Sequence, residues 1–118
     1  MPKVHGELTT HLLDVAQGRP AAGVQIELYA VSADGSADLV ATAISGENGR
    51  TPAPLIAGRP IPNGTYELRF SLGAYVSGQT GSAFLQMVPV RFTTTEPEGH
   101  YHIPLLFTPW SYSIYRGS

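Results

Sequence analysis

Short runs of alternating apolar and polar residues, separated by glycine and proline, extend along this chain. Strict alternation marks a β-strand with one covered face, because successive side chains leave the strand on opposite sides. In Leu8 to Asp14, Leu8, Thr10 and Leu12 share one face, and Thr9, His11 and Leu13 share the other. Gln17-Gly18-Arg19-Pro20 closes this run as a turn. From Gly23 to Val31, Val24, Ile26, Leu28 and Ala30 face one way, while Gln25, Glu27 and Tyr29 face the other. This predicts a strand with one wet face. Asp34-Gly35 fits a hairpin, and Leu39 to Ser45 follows as a third strand. Asn48-Gly49 is the strongest turn dipeptide in the chain and presents Arg50 directly after it.

The second half follows the same rule with two interruptions. Pro52, Pro54, Pro60 and Pro62 crowd Thr51 to Asn63, which predicts a loop or a short edge strand. Tyr66, Leu68, Phe70 and Leu72 then line one face, opposite Thr65, Glu67, Arg69 and Ser71. Gly73 to Ser82 loses the alternation and has room for one short helix. Leu85 to Thr94 is expected to be a strand with apolar residues on both faces. After a turn at Glu96-Pro97-Glu98-Gly99, two short strands meet at Thr108-Pro109-Trp110-Ser111, before the polar tail Tyr115-Arg116-Gly117-Ser118. Without any long helical period, the expectation is an all-β fold: a two-layer antiparallel sandwich of about eight strands with one short helix. Its edge strands need covering, and pairing with another subunit is one way to cover them.

Composition narrows this picture. A chain of 118 residues is expected to be a single domain, 1–118. Charged residues make up only 14%, which suits a compact fold with modest solvent-facing charge or one that hides surface by oligomerising. The net charge of -2 comes without a Lys/Arg cluster, so no nucleic-acid footprint is present. With no cysteine there are no disulfides or thiolate metal sites. No apolar run approaches membrane-spanning length. The opening MPKVHGELTT has no leader-type apolar region, and a cytoplasmic location is expected.

Three of the four histidines are candidates for chemistry. His11 sits mid-strand beside Thr9. His100 and His102 are two apart on one strand and so point to the same side. One reading makes these three a metal site, since neutral imidazoles bind zinc, but no carboxylate has a clear claim as partner, and no metal is expected. The other reading is metal-free hydrolysis. Imidazole can activate water near neutral pH. An arginine can offset charge on an anionic substrate and a developing oxyanion, and hydroxyls can orient substrate or water. His11, Arg50, His102, Tyr115 and Ser118 supply that inventory.

These residues also carry a resemblance. LTTHLLD (Leu8 to Asp14) with GRPA (Gly18 to Ala21), NGR (Asn48 to Arg50), GTYEL (Gly64 to Leu68), YHIPLL (Tyr101 to Leu106) and the YRGS tail stand in the order and spacing of the 5-hydroxyisourate hydrolases. The chain resembles this transthyretin-related family of purine breakdown over essentially its whole length. The tail is the most specific piece, because it separates the enzyme from the hormone carrier. The family pattern falls on His11, Arg50, His102 and Tyr115 to Ser118, where transthyretin has a lysine, a glutamate and a threonine at the first three places and lacks the tail. The departures are Asn48 where the family usually has aspartate, Gln86 and Met87, and Trp110 in the last turn.

The resemblance implies a transthyretin-like sandwich assembled as a homotetramer, a dimer of dimers, with sites in the cleft between dimers. It implies hydrolysis of 5-hydroxyisourate to 2-oxo-4-hydroxy-4-carboxy-5-ureidoimidazoline without a cofactor. His11 or His102 would be the base, with the other donating to the substrate. Arg50 would bind the anionic heterocycle, and Tyr115 and Ser118 would orient substrate or water. His100 ranks below His102 as a substrate contact, and Arg116 would fix the tail or add positive potential at the substrate. A carrier for an aromatic small molecule and a purely structural sandwich domain are the competing readings.

Overall fold

The computed structural model describes residues 5–117. In chain order the elements are β1 (Gly6–Asp14), β2 (Arg19–Pro20), β3 (Gln25–Val31), β4 (Ala37–Ile44), β5 (Ile56–Arg59), β6 (Gly64–Ser71), α1 (Gly73–Thr80), β7 (Met87–Thr94), β8 (His100–Phe107) and β9 (Tyr112–Ile114). One sheet has the order β2-β1-β8-β9, with β5 also paired to β1. The other has the order β4-β3-β6-β7. Alternation decides what lies between them. Leu8 and Leu12 of β1 and Leu105 and Phe107 of β8 meet Ile26 and Leu28 of β3 and Leu68 and Phe70 of β6, all fully buried. Thr9, His11 and Leu13 are left on the outer face of the first sheet, half-buried.

The expected sandwich, the short helix and the short edge strand among the prolines are all present. One pairing departs from the antiparallel expectation: β1 and β8 run parallel over eight residue pairs, from Glu7↔His100 to Asp14↔Phe107. This pairing sets Thr9 beside His102, and His11 one step further along the same face. Strand β7 begins at Met87, not Leu85, and only one of its faces is covered. The Gln86 carbonyl before it instead accepts from the Leu72 and Gly73 amides at the start of α1. Pro89 is tolerated within β7 because β7 is a sheet edge.

Two polar residues are buried where alternation alone gives no account of their partners. Asp14 continues the inward parity of Leu8 and Leu12. Its carboxylate accepts from the Gln17 amide at 3.0 Å, the Tyr75 hydroxyl at 2.7 Å and the Gln79 side-chain amide at 2.6 Å, tying α1 to the end of β1. Burial pushes this carboxyl up, but the hydrogen bonds from Tyr75, Gln17, Gln79 and Ala16 together hold it below its ordinary value. Glu67 lies on the polar face of β6, with Thr65, Arg69 and Ser71, yet is buried. Arg69 and Arg91 close over it at 2.6 and 3.0 Å, and Arg69 stacks on Tyr29 at 4.1 Å.

Candidate active site

Four short segments build the site on the outer face of the first sheet. The Asn48-Gly49 turn folds back onto β1: the Leu12 amide donates to the Gly49 carbonyl at 2.8 Å, and Arg50 forms an isolated bridge opposite His11. Gly49 is required here twice over. Its φ of 78° lies in the left-handed region, and a Cβ would stand 2.4 Å from the Leu12 carbonyl oxygen. The Asn48 side chain holds the turn by accepting from the Arg50 amide at 2.9 Å, and its main-chain carbonyl accepts from His11 Nε2 at 2.8 Å. A single tight turn therefore orients His11 and delivers Arg50 beside it, with the arginine side chain exposed.

His102 comes from β8. Its Nδ1 lies 2.8 Å from the Thr9 hydroxyl across the parallel pair. Its opposite edge is packed by the tail, for a Cβ on Gly117 would sit 2.7 Å from His102 Cδ2. Burial, reinforced by the neighbouring charges of Arg50, His100 and His11, holds the His102 imidazole below the ordinary histidine value. The same causes favour the neutral ring over the imidazolium. His100 shares the face, with ring centroids 6.3 Å apart, but it is exposed and turned toward Glu7 at 3.5 Å.

The tail reaches the site by continuing the β8–β9 ladder. The register that pairs Leu105 with Ile114 places Tyr115 opposite Pro104 and Gly117 opposite His102. Proline has no N–H to contribute, and the ladder is broken over Tyr115 and Arg116. It resumes where the Gly117 amide donates to the His102 carbonyl at 2.7 Å. Arg116 is directed away from the histidines. Its guanidinium stacks on Tyr101 at 4.5 Å and approaches Glu96 at 4.0 Å. Both contacts tie the tail to Tyr101 and the Glu96 turn. Tyr115 is exposed and borders a small apolar cleft with Val90, Phe92, Tyr101 and Ile114. Ser118 lies outside the described residues.

His11, Arg50 and His102 are therefore brought to one sheet face. On this face Arg50 and His100 are exposed, and His11 and His102 are half-buried. Among the described residues no three His, Cys, Asp or Glu side chains are grouped as metal ligands, which is what a three-histidine site would need. Thr9 was legible only as a polar neighbour of His11. Its partner is His102, which alternation within one strand does not reveal.

The sequence profile of the HIUase/Transthyretin family matches residues 8–117. The chain belongs to that family. Within the HIUase/Transthyretin family, it is 49% identical to a 5-hydroxyisourate hydrolase of Deinococcus radiodurans, over 97% of this chain and 98% of the relative. Among solved structures, it resembles 5-hydroxyisourate hydrolase of Klebsiella pneumoniae with a TM-score of 0.79 at 31% identity, over 96% and 99% of the two chains. It also resembles transthyretin from Sparus aurata, with a TM-score of 0.85 at 30% identity, over 94% and 96%. Members named for hydrolysis and members named transthyretin thus share one sandwich, and the face carrying His11 has to decide between them.

Proposed function

We propose that this chain hydrolyses 5-hydroxyisourate, with the face formed by His11, Arg50 and His102 as its site. The observation that carries the reading is the convergence of two imidazoles and a guanidinium on one face, in a chain whose near relatives are named for this reaction. A neutral imidazole takes a proton from water as its oxygen bonds to the ring carbonyl carbon. The carbon–nitrogen bond then breaks and the nitrogen receives a proton, giving 2-oxo-4-hydroxy-4-carboxy-5-ureidoimidazoline. Arg50 offsets the substrate's negative charge and the charge developing on the carbonyl oxygen. Tyr115 and Ser118 complete the proposal as orienting groups, and His100 as an outer contact. No cofactor enters this scheme.

The proposal includes a homotetramer, a dimer of dimers, with sites between dimers. The open face supports it, since water exclusion over half-buried His102 needs a second surface. So do the sheet edges β7 and β9, and exposed Phe84, Trp110, Ile114 and Tyr115. Sedimentation at assay concentrations tests the assembly. Among the described residues no helix is long and apolar enough to cross a membrane; a cytoplasmic location is proposed and is tested by cell fractionation. The reaction itself is tested by generating 5-hydroxyisourate from urate with urate oxidase and following its absorbance. The protein should accelerate the decay. Decay at the spontaneous rate, with tight binding of an aromatic ligand, would favour a carrier instead.

A further inference from the structure

Two histidines on one face must offer different ring nitrogens to the substrate if one is to take a proton while the other donates a hydrogen bond. His11 Nε2 faces the Asn48 carbonyl oxygen at 2.8 Å. A carbonyl only accepts, so this nitrogen carries the ring proton and the neutral ring has a bare Nδ1. His102 faces a hydroxyl, which can donate or accept, so the next contacts decide its state. The Thr9 oxygen lies 2.8 Å from His102 Nδ1 and 3.4 Å from His100 Nε2. That same His100 nitrogen is 3.5 Å from the Glu7 carboxylate. A carboxylate only accepts, so His100 Nε2 holds its proton between Glu7 and Thr9. The Thr9 oxygen faces an N–H on that side, and its own proton is free to go to His102 Nδ1. The proton of neutral His102 then resides on Nε2, at the outer tip of a ring fixed between Thr9 and Gly117.

We propose that Thr9 is a positioning residue that locks neutral His102 in the Nε2–H form, so that His102 is the hydrogen-bond donor of the site and His11 is its base. The catalytic meaning of this rests on the hydrolase reading; the assignment of the protons does not. In the resulting step, His11 Nδ1 takes the proton of water as oxygen bonds to the carbonyl carbon. His102 Nε2–H and Arg50 stabilise the oxyanion, and His102 stays neutral throughout. The proton held by His11 then passes to the departing ring nitrogen as the carbon–nitrogen bond breaks.

The test uses long-range proton–nitrogen NMR of the full ¹⁵N-labelled protein, at a pH alkaline of the histidine range. The His102 ring is assigned by the loss of its signals in His102→Asn. Wild type should show His102 with protonated Nε2 and bare Nδ1. Thr9→Val, which keeps the shape and suits a strand, should shift the ring toward the Nδ1–H form, and Thr9→Ser should restore the wild-type pattern. In the urate-coupled assay Thr9→Val should lose about tenfold in kcat, the scale of one hydrogen bond, with KM within about twofold. Thr9→Ser should regain most of that loss. A protonated Nδ1 in wild type, or a His102 pattern unchanged in Thr9→Val, overturns the proposal. The expected ring pattern in a protein without turnover would uphold the proton assignment and remove the hydrolase reading alone.

Discussion

Gly117 packs against His102 so closely that no side chain fits between them. Its amide donates to the His102 carbonyl at 2.7 Å, and a Cβ would stand 2.7 Å from the imidazole Cδ2. The tail is thus a wall of the ring's pocket. Gly117→Ala is expected to displace either the tail or the ring, and to cut turnover at least about tenfold. Because the tail lies outside the core, Tm should move by no more than about 2 °C. Removing Tyr115 to Ser118 should abolish activity with the sandwich still folded, as judged by circular dichroism.

Gly49 occupies a different kind of constraint, since φ and space both exclude a side chain. Gly49→Ala should destabilise the fold by about 1–3 kcal/mol in urea denaturation. It should also lower turnover in the fraction that remains folded, because the turn carries both the Asn48 carbonyl that orients His11 and the backbone of Arg50. A silent Gly49→Ala would show that the turn does not position the site.

The His102 midpoint, followed by NMR titration, should lie below the ordinary value of 6.5. Burial remains in Arg50→Gln while one repelling charge is gone, so the midpoint should rise in that variant without reaching the exposed range. The linked effect on stability has a definite sign. The unfolded chain binds this proton more readily, so stability is lost as pH falls from 6.5 toward the folded midpoint.

Asp14 anchors α1 through Tyr75 and Gln79. Asp14→Ala leaves these donors and the Gln17 amide without their acceptor, and should cost about 2–4 kcal/mol at neutral pH. The folded carboxyl lies below its ordinary 3.8, so its contribution is present above that value and is lost as pH falls through the folded one. Thermal melts of wild type and Asp14→Ala should therefore converge as the pH is lowered below 3.8.

Alternation along β1, β3 and β6 assigned the faces correctly, because side-chain direction in a strand is local geometry. It placed His11 on one face with Thr9, and His100 with His102. Neighbours were not legible in the same way. The parallel contact of Thr9 with His102 joins positions far apart in the chain, and alternation carries no record of partner or direction. Glu67 shows the limit from the other side: it is on the polar face of its strand, yet Arg69 on the same strand and Arg91 on the next one cover it. Asp14 had the parity of a buried residue, but its partners come from α1. Arg116 was open to two roles, fixing the tail or adding positive potential at the substrate, and its stacking on Tyr101 comes from a strand that alternation does not link to the tail.

The central claim is that His11 and His102 act together on one face, and turnover of 5-hydroxyisourate by His11→Ala and His102→Ala tests it most directly. Each folded variant should lose about 100- to 10,000-fold relative to wild type, the scale of general base assistance for His11 and of a lost oxyanion donor for His102. Near wild-type turnover in both would contradict the account.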